Sequence, residues 1–183
     1  CGGHGNDTIM GGAGEDTLIF AAGGGRTVKL NSASAQLTGE GRDLIAEIEH
    51  VIATNRNDAI LGNGSANRLE GRDGNDVLAG GGANDTLIGG YGNDRLTGGR
   101  GADSFVYDAG RDIITDFRAG EGDRLLLDSE ALRLLRGLST REIVQHWAEV
   151  TRDGVRLDFG QGRVIAIDGI DRLADLRGVI EVI

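Results

Sequence analysis

The sequence predicts an all-β solenoid, because one nine-residue pattern recurs along the chain in fixed register. The pattern is G-G-x-G-x-D-x-U-x, where U is a large apolar residue, and consecutive copies occupy 71–79, 80–88, 89–97 and 98–106. Glycine is abundant, at 33 of 183 residues, and proline is absent. Because glycine permits the positive φ angles of tight turns, each copy is expected to form one turn followed by one short strand.

Each strand is expected to bury its single apolar residue. The last three residues of a copy, x-U-x, have U pointing inward because side chains alternate across a strand. Two copies would complete one coil, so that residues eighteen apart stack on the same side. The predicted inward ladder comprises Ile60, Leu69, Leu78, Leu87, Leu96, Phe105 and Ile114.

The aspartate of each turn is a candidate calcium ligand, clearest at Asp76, Asp85, Asp94 and Asp103. Calcium binds six to eight oxygen atoms of carboxylates and carbonyls, and glycine turns direct carbonyls inward. An isolated Gly-Asn-Asp tract would indicate only a hairpin turn or a flexible linker, whereas copies in strict register favour calcium. The candidate carbonyl ligands are those of Gly71, Asp73, Gly80, Gly82, Gly89, Tyr91, Gly98 and Arg100.

These nonapeptides resemble the repeats of the RTX (repeats-in-toxin) family over nearly the whole chain. The resemblance implies a right-handed parallel β-roll with several calcium ions, each between two stacked turns. With two copies per coil, the candidate ligands fall into two ladders. The first contains Asp58, Asp76, Asp94 and Asp112, and the second contains Asn67, Asp85 and Asp103 and closes on Asp123.

The pattern is interrupted nearer the start of the chain. Complete copies at 2–10 and 11–19 carry Asp7 and Asp16, an insertion spans about 20–37, and a degenerate copy at 38–46 carries Asp43. If the insertion and 47–52 each replace half a coil, Asp16 and Asp43 join the Asp58 ladder and Asp7 joins the Asn67 ladder. Asn67 stands where aspartate is expected, and its neutral amide predicts weaker calcium binding.

The chain is expected to divide into a calcium-binding roll at 1–127 and a mixed β/α capping subdomain at 128–183. Residues 115–125 resemble the exit from the array in serralysin-type secreted proteases. Ser139 and Glu142 form a capping-box pattern, Asp153-Gly154 favours a hairpin turn, and the last residues favour a strand. Solenoids need such a cap, since an open end exposes core and strand edges.

Composition excludes several functional classes. The formal net charge of −10 argues against a nucleic-acid binder, and no apolar run is long enough to span a membrane. The three histidines do not form H-E-x-x-H, and Gly62–Ala66 lacks the last glycine of G-x-S-x-G. Cys1 has no second cysteine to pair with. We therefore expect no catalytic site in this segment, and the repeat spacing is explained by metal binding.

The resemblance implies a calcium-binding module of a bacterial protein exported by the type I secretion machinery, secreted or held at the cell surface. Such a protein is unfolded at low cytosolic calcium and folds outside the cell. The acidic-then-apolar Glu181-Val182-Ile183 resembles the serralysin ending, although Arg177-Gly178 departs from it. The alternatives are a structural segment of an adhesin or surface-layer protein, and the non-catalytic C-terminal part of a secreted protease, lipase or polysaccharide-modifying enzyme.

Overall fold

The computed structural model describes residues 4–21, 23–38 and 41–183, and within them the chain forms three sheets made largely of parallel strands. The first glycines of the copy at 2–10, the Gly39-Glu40 pair of the degenerate copy, and Cys1 lie outside the described residues. The predicted all-β parallel β-roll is confirmed.

The two larger sheets form opposite sides of the roll. In spatial order, the seven-stranded sheet comprises β18 (Ile180–Val182), β14 (Arg124–Leu127), β12 (Ser104–Tyr107), β10 (Thr86–Tyr91), β8 (Arg68–Asp73), β6 (His50–Ile52) and β2 (Thr17–Ile19). The eight-stranded sheet comprises β15 (Ala148–Val150), β16 (Gly154–Gly160), β17 (Arg163–Asp168), β13 (Arg111–Ile114), β11 (Arg95–Arg100), β9 (Val77–Gly82), β7 (Ala59–Leu61) and β3 (Thr27–Lys29). Successive repeats alternate between these two sheets.

The core is the predicted apolar ladder. Leu69 pairs with Leu87 in the seven-stranded sheet, and Leu78 pairs with Leu96 in the eight-stranded sheet, so the register is eighteen residues per coil. All predicted inward residues from Ile60 to Ile114 are at most 2% exposed. Each repeat therefore contributes one fully buried side chain, and its turn lies at the edge of this narrow core.

The insertion at 20–37 does not replace half a coil as expected. Its strand β3 joins the eight-stranded sheet, and the chain then folds back through β4 (Gln36–Leu37), which pairs antiparallel with β5 (Arg42–Ala46). The Gln36 side chain fixes this return by two hydrogen bonds to the backbone of Lys29. Strand β5 in turn pairs with β1 (Thr8–Met10), completing the three-stranded sheet.

The C-terminal residues close the end of the roll with strands and short helices. Strands β14 and β18 extend the seven-stranded sheet, while β17, β16 and β15 extend the eight-stranded sheet, the last two pairings being antiparallel. The helices are α1 (Thr140–Trp147), α2 (Leu173–Leu176) and two 3₁₀ turns (Ala119–Glu121 and Arg133–Leu135). The predicted capping box is present at the start of α1.

Candidate metal centre

Two columns of acidic and amide side chains run along the roll, each at the turn before a strand. The first column comprises Asp58, Asp76 and Asp94, which precede β7, β9 and β11, and Asp112, the second residue of β13. The second column precedes β8, β10, β12 and β14 and comprises Asn67, Asp85, Asp103 and Asp123. Every member is at most 3% exposed, so eight polar side chains are buried at the edges of the core. These eight residues stack as their spacing predicts, and calcium binding by them remains a prediction.

One oxygen of each carboxylate links neighbouring coils. The Asp58 N–H donates to Asp76 Oδ1 at 2.7 Å, and the Asp76 N–H donates to Asp94 Oδ1 at 2.7 Å. The same bond joins Asp94 to Asp112, Asn67 to Asp85, Asp85 to Asp103 and Asp103 to Asp123. Oδ1 is thereby satisfied, and the orientation of each carboxylate is fixed by the backbone.

The second oxygen has no protein partner at most of these turns. Among the described residues, buried Oδ2 atoms without a hydrogen bond occur at Asp7, Asp16, Asp76, Asp85, Asp94, Asp103 and Asp112. A buried carboxylate oxygen without a partner is unfavourable, because the charge loses its hydration without compensation. Its recurrence at one position of the turn indicates that a cation belongs there.

The unpartnered oxygen faces a space that only glycine leaves open. A Cβ atom built on Gly71 would lie 2.3 Å from Asp76 Oδ2 and 2.6 Å from the carbonyl oxygen of Gly89, one coil further on. A carboxylate oxygen of one turn and a carbonyl oxygen of the next therefore border the same space. Gly80, Gly89 and Gly98 stand in the same relation to Asp85, Asp94 and Asp103, with Cβ to Oδ2 distances of 2.1, 2.4 and 2.2 Å.

The donor set fits calcium. Carboxylate and carbonyl oxygens are hard ligands suited to calcium, and its flexible coordination tolerates several carbonyls. Within the part of the chain that the structure describes, no three His, Cys, Asp or Glu side chains group around a metal position. An ion here would thus be held by the carboxylates of two stacked turns and by main-chain carbonyls.

The predicted carbonyl ligands differ in what they face. The Gly80 carbonyl oxygen would lie 2.1 Å from a Cβ atom built on Gly62, so it borders the space above Gly62. The Gly89 carbonyl oxygen borders the space above Gly71 in the same way. The Tyr91 carbonyl instead accepts a hydrogen bond from the Gly74 N–H. The roles of the carbonyls of Gly71, Asp73, Gly82, Gly98 and Arg100 remain predictions.

Burial raises the pKa of six carboxyl groups in the two columns, those of Asp76, Asp85, Asp94, Asp103, Asp112 and Asp123. Loss of hydration raises the pKa of Asp76 and of Asp85 from 3.8 to about 7, and that of Asp112 to about 8. Neighbouring carboxylates add to the effect, such as Asp94 acting on Asp112. The hydrogen bond from the preceding coil opposes it. Without a cation, the stacked carboxylates are therefore held in an environment that disfavours their charged form.

Four of the predicted ligands have protein partners on their second polar atom. Asp58 Oδ2 accepts from the Thr54 N–H at 3.0 Å and from the Thr54 hydroxyl at 2.9 Å, while Asp43 Oδ2 accepts from the Thr38 hydroxyl. The Asn67 amide donates to the Glu49 carbonyl at 2.9 Å. Asp123 Oδ2 accepts from the Arg118 N–H at 2.7 Å.

The N-terminal aspartates do not join the ladders expected for them. The Asp7 N–H donates to Asp43 Oδ1 at 2.9 Å, so these two residues form a separate pair rather than belonging to the Asn67 and Asp58 ladders. Asp16 precedes β2, in the seven-stranded sheet, and is therefore in the second column instead of the first. The cause is the antiparallel return through β4, after which β5 pairs with β1 in a separate three-stranded sheet.

Two acidic residues outside the predicted ligand set also accept hydrogen bonds from the turns. The Glu49 carboxylate accepts a hydrogen bond from the Asp16 N–H at 3.0 Å, as aspartate Oδ1 atoms do in the other coils. The segment that contains Glu49 lacks a glycine turn. Asp116 accepts the N–H groups of Gly98 and Gly99, both at 2.9 Å, and thus ties down the last turn. The resemblance of 115–125 to an array exit was the only available signal, and it concerned Asp116 alone.

Comparison with known proteins supports this interpretation of the turns. Residues 2–25, 52–87 and 79–114 match the family model of the RTX calcium-binding nonapeptide repeat. The fold and the turns thus define a protein with calcium-binding nonapeptide repeats. These segments belong to the RTX calcium-binding repeat family, whose nonapeptides bind calcium ions.

Other comparisons add little. Among solved structures, the extracellular lipase LipA from Serratia marcescens is similar, with 20% identity and a TM-score of 0.48. The alignment covers 98% of this chain and 37% of that one, so this chain spans well under half of the lipase. No curated protein matches the chain. None of the helices among the described residues has both the length and the apolar character to cross a membrane.

Proposed function

We propose that this chain is the calcium-dependent folding module of a secreted bacterial protein. The observation that carries the proposal is the recurrence of buried, unpartnered Oδ2 atoms over glycine turns, most regularly at Asp76, Asp85, Asp94 and Asp103. With the hydrogen-bonding of all eleven predicted ligands known, we place the principal ions at the seven aspartates whose Oδ2 atom is unpartnered. Asp43, Asp58, Asn67 and Asp123, whose second polar atom already has a protein partner, are not among these principal sites.

Calcium would act on this chain through linkage. The stacked turns exist only in the folded chain, so the free energy of calcium binding is added to that of folding. At low calcium, desolvation and mutual repulsion of the carboxylates oppose the fold. Calcium at about 10⁻⁴–10⁻³ M, the range of extracellular modules, would reverse the balance. The chain would therefore be unfolded in the cytosol and folded outside.

Export by a type I secretion machinery fits this behaviour. Residues 180–182, within the segment that resembles a secretion signal, form β18 and pair with β14 beside the calcium-binding coils. The signal would therefore be available to the machinery only before folding. We further propose that 1–127 acts as the roll and 128–183 as its cap, and that this segment binds calcium without catalysing a reaction.

The test is circular dichroism of the whole chain in chelator and then in calcium, together with the fluorescence of Trp147. Trp147 packs against Phe159, with ring centroids 5.9 Å apart, so its emission reports folding of the C-terminal residues. We expect a disordered spectrum in chelator and β-structure with a shifted Trp147 emission in calcium. Magnesium at the same concentration is the control, because it demands a smaller octahedral site. Equal β-structure in chelator and in calcium would refute the proposal.

A further inference from the structure

The turns that precede β5, β7 and β8 differ from the calcium-binding turns in one respect. Their polar residue at the aspartate position of the repeat has its second polar atom hydrogen-bonded within the protein. At Asp58, Oδ1 accepts the Arg26 N–H, and Oδ2 accepts both the N–H and the hydroxyl of Thr54. Thr54 is 2% exposed and Asp58 is 3% exposed, so these bonds are shielded from water.

The same arrangement recurs on the neighbouring turns. Thr38, also 2% exposed, donates its hydroxyl to Asp43 Oδ2. On the opposite side of the roll, the Asn63 N–H donates to Asn67 Oδ1 at 2.8 Å, and the Asn67 amide reaches the Glu49 carbonyl. Between Asp16 and Asp76, the described residues contain no buried carboxylate oxygen without a partner.

At the Asp58 and Asn67 turns, the cause is the residue at the second position of the turn. In the turns of Asp76, Asp85, Asp94 and Asp103 this residue is left-handed, with φ of 74° at Arg72, 113° at Gly81, 96° at Gly90 and 106° at Gly99. Its N–H does not bond the carboxylate of its own turn. Thr54 and Asn63 are not in that region, and their N–H groups donate to the side chain four residues on. A β-branched residue such as Thr54 strongly disfavours positive φ.

A fixed positive charge accompanies these hydrogen bonds. The Arg26 side chain is 5% exposed, donates to the Thr38 carbonyl at 2.7 Å, and lies over the Phe20 ring at 5.4 Å. Arg26 therefore links two turns. Its side chain donates to the Thr38 carbonyl beside Asp43, and its backbone N–H donates to Asp58 Oδ1. A guanidinium group is always charged, so it offers this part of the roll a permanent cation.

We propose that residues 26–67 form a calcium-free middle segment of the roll, in which Thr38, Thr54, Asn63 and the Arg26 guanidinium take the place of ions. Calcium binding is then discontinuous, with one block at Asp7 and Asp16 and a principal block from Asp76 onward. The middle segment joins the two blocks without itself requiring calcium. This inference rests on the proposed function, since it presupposes calcium in the adjoining turns.

The test is the number of calcium ions retained by matched variants in native mass spectrometry. Asp58→Asn and Asp76→Asn remove the same charge from successive turns of one column. We expect Asp58→Asn to retain the wild-type number of ions and Asp76→Asn to lose about one or two, because each ion lies between two turns. Loss of an ion from Asp58→Asn would overturn the inference. A wild-type chain that binds no calcium would instead overturn the proposed function and this inference with it.

A second variant covers the case in which Asp58→Asn does not fold. Thr54→Val keeps the β-branch and the N–H donor and removes only the hydroxyl. We expect a lower melting temperature in saturating calcium, with an unchanged number of bound ions. A Thr54→Val chain that melts as the wild type does, or that binds a different number of ions, would contradict the role assigned to Thr54.

Discussion

Replacing Gly71 with alanine should fill the space in which Asp76 Oδ2 and the Gly89 carbonyl meet. The new Cβ atom would lie 2.3 Å from the first oxygen and 2.6 Å from the second, well inside contact distance. Gly71 does not have a positive φ, so the substitution adds no backbone strain. Overpacking of this kind costs about 1–3 kcal/mol. For a chain of this length that lowers the melting temperature by about 2–12 °C.

The same substitution should also expel the ion of that turn, which separates it from an ordinary packing defect. Calorimetry in saturating calcium measures the melting temperature, and native mass spectrometry counts the ions. Gly64→Ala is the matched control, because a Cβ on Gly64 has no atom within 4 Å and its φ is not positive. For Gly64→Ala we expect no loss of ions and a stabilisation of at most about 0.4–1 kcal/mol. If Gly71→Ala keeps the wild-type ion count and melting temperature, the proposed position of the ion is wrong.

Three further predictions follow from the columns. Asn67→Asp should add a calcium ion, because a carboxylate replaces a neutral amide. It should also lower stability in chelator, because the Asn67 amide that donates to the Glu49 carbonyl is lost. An unchanged calcium midpoint of folding would contradict this prediction. Burial raises the pKa of Asp76 to about 7 and of Asp112 to about 8. Protonation of these two carboxyls therefore stabilises the folded calcium-free chain. This stabilisation is fully present below about pH 4 and is lost as the pH rises through 7–8. Protons also compete with calcium, so the calcium midpoint should be higher at pH 5.5 than at pH 8.5, and equal midpoints would exclude these carboxylates as ligands. A chain that ends at Val106 loses β14 and β18, which cover the end of the seven-stranded sheet; it should fail to gain β-structure in calcium, and normal folding by circular dichroism would show that the cap is dispensable.

The principal block of the roll could be predicted because its physical rule is local. Each nonapeptide contains its own turn, strand and inward residue, so the spacing alone brings Leu78 over Leu96 and Asp76 over Asp94. No long-range information is needed where every unit contacts only its neighbours. Inward burial of the whole apolar ladder follows from the same rule.

The interrupted part could not be predicted in this way, because its contacts are not periodic. The antiparallel pairing of Gln36 with Asp43 sets which side of the roll the next strand joins, and no spacing rule encodes that pairing. Glu49 lies 33 residues from Asp16, its partner, instead of eighteen. The hydrogen bonds of Thr54 could not be predicted for another reason: an aspartate in register has the pattern of a ligand whether or not a threonine four residues before it bonds its carboxylate.

The central claim is that calcium lies between stacked turns, bordered by Asp76 Oδ2 and its counterparts. Anomalous scattering from a crystal of the whole chain grown in calcium tests this directly. We predict anomalous peaks over the α-carbons of Gly71, Gly80 and Gly89, each bordered by the carboxylate of the same turn and a carbonyl of the next coil. Well-ordered turns with no peak at these three positions would contradict the account.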